Sequence, residues 1–201
     1  MQNIDLERLE KQMAFIREID KEKFIGRQTY LSDGKRKEND AEHAWHMAIM
    51  AVLLAEYSNE PIDVLRTVTM LLIHDIVEID AGDTYAYGGT SKADQEAREL
   101  EAADRIYNLL PADQAQYLYD IWREFEEQKT PEAKFARTLD NFQPCTLNDV
   151  TNGISWVEHG VHLSQVMKRN SNTASGSEAL WDYQLHNMIE KHVELGHIQA
   201  D

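Results

Sequence analysis

The sequence predicts an all-α fold, a single domain of roughly eight helices. Apolar residues recur at spacings of three and four almost throughout the chain, as they do in amphipathic helices. No segment shows a convincing alternation of apolar and polar residues, so no strand is predicted. The length of 201 residues suits one domain with a sizeable core. We therefore expect one domain over residues 1–201, with a core at about 5–165 and a C-terminal helical extension at about 177–195.

Local signals predict the elements of the N-terminal third in order. The first helix carries an apolar stripe, made of Leu6, Leu9, Met13 and Ile16. The polar stretch "DGKRKEND" at 33–40 predicts a loop, and Asn39 or Asp40 can cap a second helix that runs to about Tyr57. Pro61 suits the first position of a third helix, which carries the apolar run "TMLLI".

Turn and cap residues divide the remainder of the chain. Residues 79–90 contain three glycines and predict a loop, after which Ser91 and Asp94 form a capping-box pattern. Pro111 opens the next helix, and the pair Thr130-Pro131 opens another. The small residues of "TASGS" separate the last two helical segments. A helix end at Gly196 is also expected, because glycine favours the conformation that follows a helix.

Charge and cysteine content exclude several function classes. The formal net charge is −16 and the isoelectric point about 4.8, which argues against a nucleic-acid polymer or an anionic membrane surface as partner. No apolar run approaches 18 residues, and the N-terminal segment lacks the basic and apolar regions of a signal peptide. The single cysteine, Cys145, cannot form an internal disulfide. We therefore expect a cytoplasmic protein that acts on a small molecule and does not bind membranes.

Polar residues interrupt otherwise apolar helices at three places. The segment "TMLLIHDIVEIDAGD" at 69–83 places His74 and Asp75 directly after an apolar run, and His43 and His46 lie on the apolar second helix. Asp140 in "KFARTLDNFQP" falls at the border between the polar and apolar faces of its helix. Each insertion alone has an ordinary explanation, namely a solvated helix end, a hydrogen-bonded core histidine or a surface aspartate. Burying such groups without a partner costs several kcal/mol, so together they indicate that something compensates them.

The order and spacing of three segments resemble those of HD-domain metal-dependent phosphohydrolases, and in particular the bacterial 5′-deoxynucleotidases and their relatives. These segments are "KENDAEHAWHMA" at 37–48, "LLIHDIVEIDAGD" at 71–83 and "ARTLDNF" at 136–142. The resemblance covers roughly residues 5–165. A His-Asp pair alone carries no weight, whereas the full set is specific, with Glu-His before the pair and Glu plus Gly-Asp after it.

The resemblance implies one divalent metal ion, held by His43, His74, Asp75 and Asp140. Two imidazoles and two carboxylates suit Mn, Co, Ni, Zn or Fe, and they do not select among these metals. His46 lies one helical turn from His43 and could compete with it as a ligand. We favour His43 because it follows a glutamate, as the corresponding residue does in the family.

The resemblance also implies roles for residues around the metal. Arg27 in "FIGRQTY" would bind the phosphate of the substrate, since a guanidinium matches two phosphate oxygens. Glu78 and Asp83 would orient the attacking water and help proton delivery to the departing 5′ oxygen. Tyr30 would lie near the sugar, where it replaces a larger tryptophan of the relatives. From the sequence alone, Arg27 could equally be an ordinary loop arginine, and Glu78 and Asp83 could be solvated carboxylates.

These features together predict a metal-dependent phosphomonoesterase that converts (deoxy)nucleoside 5′-monophosphates to nucleoside and phosphate. The resemblance further implies a homodimer. One alternative is another HD enzyme, such as a hydrolase of guanosine tetraphosphate-type alarmones. That class would require a more basic pocket to bind a pyrophosphate group. The other alternative is a non-catalytic HD module that binds nucleotide or metal. The presence of both Glu78 and Asp83 favours catalysis.

Overall fold

The structure is a computed structural model that describes residues 4–82 and 92–201. Helices dominate these residues, which confirms the predicted all-α class. The N-terminal helices are α1 (Leu6–Ile19), α2 (Asp40–Leu54), α3 (Val64–Ile73) and α4 (Glu78–Ala81). The central helices are α5 (Lys92–Tyr107), α6 (Ala112–Glu127) and α7 (Pro131–Val150). The C-terminal helices are α8 (Ile154–Glu158), α9 (Leu163–Arg169), α10 (Thr173–Gly176), α11 (Glu178–Gln184) and α12 (Glu190–Glu194). Every helix in the described ranges falls short of the length and apolarity that crossing a membrane requires.

Side-chain caps fix the starts of the two helices that matter most for the site. Asn39 accepts a hydrogen bond from the backbone N–H of Glu42 at 2.9 Å, and the Glu42 carboxylate accepts one from the N–H of Asn39 at 3.1 Å. This capping box starts α2 where the sequence predicted. Thr130 caps α7 with its side-chain oxygen, which accepts a hydrogen bond from the N–H of Ala133 at 3.2 Å, and Pro131 is the first residue of the helix. Both predictions are confirmed.

Two predicted boundaries in the third helix and the loop after it differ from the structure. The helix α3 begins at Val64 and not at Pro61, because the Asp63 side chain accepts a hydrogen bond from the N–H of Arg66 at 3.1 Å. The first residues of the expected loop at 79–90 instead belong to the short helix α4, which ends at Ala81 and is followed by Gly82 with φ of +75°. Glycine adopts that left-handed conformation without a steric cost. The predicted cap at Ser91 lies outside the described residues.

The C-terminal segment is more helical than predicted. "TASGS" is not only a separator, since its first four residues form α10 and Ser177 then caps α11. A Cβ atom at Gly176 would lie 2.3 Å from the carbonyl oxygen of Lys134, so only glycine allows α10 to pack this closely on α7. A π-helical stretch at Leu185–Ile189 joins α11 to α12. Gly196 follows the last helix with φ of +75°, as expected of an end signal.

A small antiparallel sheet that the sequence did not predict precedes α2. Strand β1 (Gly26–Tyr30) pairs with β2 (Lys37–Asn39), with Gly26 opposite Asn39 and Tyr30 opposite Lys37. Strands of five and three residues are too short to show a periodic pattern, and their pairing is a tertiary contact. The hairpin places Arg27 next to the start of α2.

The core forms around α7, which packs against α2, α3, α6 and α10. Large, fully buried apolar side chains of this core include Met47 on α2, Met70 on α3, Ile106 on α5, Trp122 on α6, and Phe135 and Leu139 on α7. The start of α2, the end of α3 and the middle of α7 therefore lie together. These are the three places where the sequence carries its polar insertions.

Candidate metal centre

The imidazole of His43 enters the site from the first turn of α2. The capping box orients this turn, and the side chain of His43 is fully buried. Its Nδ1 lies 2.8 Å from Oε1 of Gln143, whose amide nitrogen in turn donates to the Glu38 carboxylate at 3.0 Å. Because the amide oxygen can only accept, Nδ1 of His43 must carry the proton. Its Nε2 is therefore left with a lone pair that faces the site, which is the tautomer that a metal ligand needs.

His74 and Asp75 enter from the end of α3. The helix stops at Ile73, and His74 follows as its C-cap residue with backbone angles that are still helical. Nδ1 of His74 donates to the carbonyl oxygen of Leu71 at 2.9 Å, which points its Nε2 into the site. That Nε2 lies 3.0 Å from Oδ2 of Asp75 but makes no hydrogen bond of acceptable geometry. Nε2 of His74 and Oδ2 of Asp75 are therefore close together, but no hydrogen bond joins them.

Asp140 enters from α7 and completes the set of four. Its Oδ1 lies 3.2 Å from Nε2 of His43 and 3.8 Å from Nε2 of His74. Its other oxygen, Oδ2, accepts hydrogen bonds from Arg137 at 2.8 Å and from Arg169 at 3.1 Å. The two guanidiniums therefore hold the carboxylate in one orientation and leave Oδ1 directed at the histidines.

The four residues that the sequence singled out as ligands therefore lie close together. The possible ligand atoms of His43, His74 and Asp75 all lie within 4.8 Å of one another, and Oδ1 of Asp140 approaches both imidazoles. The buried Nε2 of His74 lacks a hydrogen-bond partner, which a metal ion would supply. Two imidazole nitrogens and two carboxylate oxygens form a donor set that suits a first-row divalent ion. The residues present fit the ion that the resemblance implies.

His46 is placed differently from His43. Its ring is half-buried, and its Nδ1 lies 3.2 Å from the amide nitrogen of Gln143. The amide of Gln143 thus lies between His46 and the site and contacts both histidines. His46 supports the residue that orients His43, and it offers no ligand atom to the cluster.

The charged groups of the site shift one another's pKa values. Burial lowers the pKa of His43 to about 4, with a further contribution from Arg27, so this imidazole is neutral near pH 7. Burial also opposes protonation of His74, but the charge of Asp75 outweighs it and raises the pKa of His74 to about 9. Burial favours the neutral acid at Asp75 and Asp140. Asp75 is nevertheless held ionised, because the nearby His74 keeps the pKa of this carboxyl well below its usual range. The guanidinium of Arg169 likewise holds the pKa of Asp140 well below its usual range.

The remaining sequence-predicted residues lie at different distances from this centre. Arg27 on β1 donates from Nη1 to Asp75 at 2.8 Å and lies on the wall of a cavity of about 250 Å³. Glu78, the first residue of α4, lies on the same wall. Tyr30 is not among the cavity-lining residues, and the ammonium group of Lys37 lies 5.5 Å from its ring centre. Asp83 lies outside the described residues.

Several residues of the site were not singled out from the sequence. Asp40 is fully buried and accepts a hydrogen bond from Arg27 at 3.1 Å. Arg137 and Arg169 bind Asp140, and Glu38 lies behind Gln143. A weak signal existed for Arg137, since it precedes Asp140 by three residues and shares its helix face. Glu38 and Asp40 lie in the segment at 37–48, where they look like ordinary charged residues, and Arg169 lies 29 residues after Asp140.

Known proteins resemble the chain in sequence. A family model described as an HD domain matches residues 19–181. The human protein named 5′-deoxynucleotidase HDDC2 is 35% identical over 106 residues, which cover 53% of this chain and 50% of that protein. The mouse protein of the same name is 33% identical over 106 residues, covering 53% of this chain and 52% of its own length. The chain thus spans about half the length of the curated relatives it matches.

Solved structures resemble the fold. The crystal structure of a predicted metal-dependent phosphohydrolase from Magnetospirillum magnetotacticum superposes with a TM-score of 0.88 at 47% identity, covering 95% of both chains. A conserved hypothetical protein from Pyrococcus furiosus shares the fold at 19% identity and a TM-score of 0.57, covering 90% of this chain and 99% of that one. The HD-domain model covers well over half of the residues, and the chain therefore belongs to the HD-domain family.

Proposed function

We propose that the chain is a divalent-metal-dependent phosphomonoesterase that hydrolyses (deoxy)nucleoside 5′-monophosphates to nucleoside and phosphate. One observation carries the proposal. The donor atoms of His43, His74 and Asp75 lie within 4.8 Å of one another, Asp140 approaches both imidazoles, and an arginine borders the same cavity. A phosphomonoester suits this arrangement, because a metal ion and a guanidinium can both bind its oxygens. The names of the relatives support the nucleotide as substrate.

Each of the chain's residues takes a distinct part in this reaction. His43, His74, Asp75 and Asp140 would hold the ion. When bound, such an ion activates a water molecule near neutral pH and stabilises charge on the phosphoryl group. Arg27 would bind the phosphate oxygens, and Glu78 would orient the attacking water and handle its proton. By the resemblance, Asp83 would assist proton delivery to the departing 5′ oxygen.

A panel of phosphorylated metabolites tests the substrate class. We expect the metal-loaded protein to release inorganic phosphate from dAMP and from other nucleoside 5′-monophosphates. It should release little from 3′-monophosphates, because the 5′ oxygen is the proposed leaving group. Preferential hydrolysis of guanosine tetraphosphate would favour the alarmone-hydrolase alternative. Nucleotide binding without turnover by any metal form would favour a non-catalytic module.

The same assay tests whether the protein distinguishes deoxyribose from ribose in its substrate. We propose that deoxynucleotides are preferred modestly, by no more than about 100-fold in kcat/KM, the scale at which a pocket rejects an extra hydroxyl that it does not bind. If Tyr30 faces the sugar, Tyr30→Trp should widen the preference for dAMP over AMP and Tyr30→Ala should narrow it. Gln28 and Thr29 line the cavity wall beside Arg27. If neither Tyr30 substitution changes the ratio of kcat/KM for dAMP and AMP, discrimination between deoxyribose and ribose would be assigned to Gln28 and Thr29.

We also propose that the chain forms a homodimer through the outer face of α2. The apolar side chains of this face are exposed to 63, 46, 59 and 66% at Trp45, Ile49, Val52 and Leu53. The sequence from residue 43 to residue 55 contains no aspartate, glutamate, lysine or arginine. Two copies with a net charge of −16 would repel each other least along such a face.

Light-scattering mass measurements test the dimer. We expect the mass of a dimer for the unmodified chain. A glutamate at the centre of the apolar face, introduced by Val52→Glu, should shift the mass to that of a monomer because it would bury a charge at the contact. The control is Tyr117→Glu, which places the same charge on an exposed residue of α6. A dimer that persists in Val52→Glu would exclude this face as the contact.

A further inference from the structure

Two arginines bind the same oxygen of the proposed metal ligand Asp140. Arg137 donates to Oδ2 of Asp140 at 2.8 Å, and Arg169 donates to the same atom at 3.1 Å. Arg137 lies on α7 one turn before Asp140, whereas Arg169 is the last residue of α9. Both arginines also line the cavity. Because they share one acceptor atom, their remaining contacts can be compared directly.

The guanidinium of Arg137 is occupied by other groups of the chain. Its Cζ atom lies 4.1 Å from the centre of the Phe125 ring, and its Nη2 lies 3.5 Å from Oε1 of Glu126. The side chain is 17% exposed. The guanidinium therefore lies over an aromatic ring, and two carboxylates compensate its charge. Little of Arg137 remains available to bind a ligand.

The guanidinium of Arg169 is largely available. Its side chain is 34% exposed, twice the fraction of Arg137. The bond to Asp140 is the one hydrogen bond that this side chain donates within the described part of the chain. An arginine carries five N–H donors, so most of those of Arg169 are left to bind a ligand in the cavity.

Both ends of the Arg169 side chain are nevertheless held. The next residue, Asn170, is buried and donates from Nδ2 to the carbonyl oxygen of Val166 at 2.8 Å. Oδ1 of Asn170 accepts a hydrogen bond from Gln184 at 2.8 Å. These contacts fix the end of α9, and Asp140 holds the guanidinium at the other end of the side chain. A ligand therefore meets an arginine that is already ordered, which lowers the entropic cost of binding.

An anion that enters this cavity meets many negative charges. The carboxylates on its wall are Asp75, Glu78, Glu99, Glu126 and Asp140. Arg27 also lines the wall, but its Nη1 already donates to two carboxylates. A phosphomonoester carries a charge of about −1.5 to −2 at pH 7, so these carboxylates would repel it. A cation with uncommitted donors offsets this repulsion, and Arg169 has them.

We propose that Arg169 is a second phosphate-binding residue of the site. One edge of its guanidinium binds Asp140, and the other N–H groups bind oxygens of the substrate phosphate. The planar arrangement of five donors allows both contacts at once. The inference rests on the proposed function, because the phosphate is that of the proposed substrate. It gives Arg169 a part in substrate binding that Arg137 does not share.

Binding of inorganic phosphate to the Mn²⁺-loaded chain tests the proposal. Phosphate is a product of the proposed reaction, and isothermal titration calorimetry measures its affinity without turnover. Arg169→Gln should weaken phosphate binding about 10- to 100-fold, the loss expected for hydrogen bonds to a charged group. Arg169→Lys keeps the charge and should recover part of the affinity.

Arg137→Gln is the matched control, because it removes the other guanidinium from Oδ2 of Asp140. It should weaken phosphate binding far less than Arg169→Gln does. Elemental analysis at saturating Mn²⁺ should show the same metal content in both variants. Equal losses of phosphate affinity in the two variants would mean that both arginines serve only to hold Asp140, and the inference would be overturned.

Chemical modification tests the same contact in the unmodified chain, so it does not depend on the folding of any variant. Phenylglyoxal reacts with accessible arginines, and mass spectrometry of peptides locates the products. Inorganic phosphate should protect Arg169 of the Mn²⁺-loaded chain. It should not protect Arg36, an exposed arginine that pairs with Glu42. Protection of neither arginine, or of both equally, contradicts the proposed contact.

The outcomes separate this inference from the proposed function. If the chain hydrolyses dAMP but Arg169→Gln binds phosphate as tightly as the unmodified chain, only the inference is overturned. If Arg169→Gln loses phosphate binding although no nucleoside monophosphate is hydrolysed, the proposed function fails and the phosphate-binding role of Arg169 stands. If the unmodified chain binds no inorganic phosphate, the inference is overturned whatever the substrate.

Discussion

Replacing Asp75 with alanine or asparagine should abolish both divalent-metal binding and phosphate release. Asp75 contributes a carboxylate beside Nε2 of His74 and within 4.8 Å of the His43 ligand atom. Asparagine keeps the shape of the side chain and removes its charge. A metal ion supplies several kcal/mol of transition-state stabilisation, so kcat/KM for dAMP should fall roughly 1,000-fold or more. Elemental analysis and the phosphate-release assay measure the two effects.

Thermal unfolding gives a second measure of the same substitution. A ligand that binds only the native state raises the unfolding temperature by mass action. A chelator should therefore lower the unfolding temperature of the unmodified chain and leave that of Asp75→Asn nearly unchanged. Asp80→Asn is the matched control, because Asp80 lies on α4 nearby but is exposed and forms an ion pair with Arg105. Full metal occupancy in both His74→Ala and Asp75→Ala would refute the ligand assignment.

Most helices could be predicted because their signals are local. The capping box of Asn39 and Glu42 and the pair Thr130-Pro131 lie within one helical turn of the boundaries that they set. Pro111 likewise directly precedes α6. The start of α3 was misplaced because two residues could begin it, and the sequence does not reveal that Asp63 provides the cap. The β1–β2 hairpin was missed because its stability depends on pairing and not on a periodic pattern.

The site was predictable where it depends on unusual residues in an apolar context. His74 and Asp75 stand out because an apolar run ends in two polar side chains. The electrostatic partners of these residues were not predictable in the same way. Asp40 and Arg169 look like ordinary charged residues in sequence, and their roles follow from contacts with residues 13 and 29 positions away. The sequence favoured His43 over His46 only by the glutamate that precedes it, whereas the side chain that contacts both histidines, Gln143, lies about 100 residues later.

Glu78→Ala should retain the metal ion and slow turnover by roughly 100-fold or more, the usual scale for a general acid–base group. Glu78 lies on the cavity wall and groups with Asp40 and Asp75, whereas the imidazoles of His43 and His74 group with Asp75 alone. Its loss therefore leaves the four proposed ligands intact. Elemental analysis should show one ion per chain. The decrease should appear in kcat more than in KM, because the proposed role is in the chemical step.

The control for this prediction is another carboxylate of the same cavity. Glu99 on α5 lines the same wall, so Glu99→Gln replaces a second carboxyl group of the cavity with an uncharged amide of nearly the same shape. We expect it to change kcat far less than Glu78→Ala does. If kcat falls equally in the two variants, the loss in Glu78→Ala would be due to the changed charge of the cavity and not to lost proton transfer by Glu78. If Glu78→Ala instead loses the ion, Glu78 is a metal ligand, and the division of roles proposed for the site is wrong. Glu78→Asp then provides the decisive comparison, because a shortened carboxylate should restore metal binding to a ligand position but should not restore proton transfer over the longer gap.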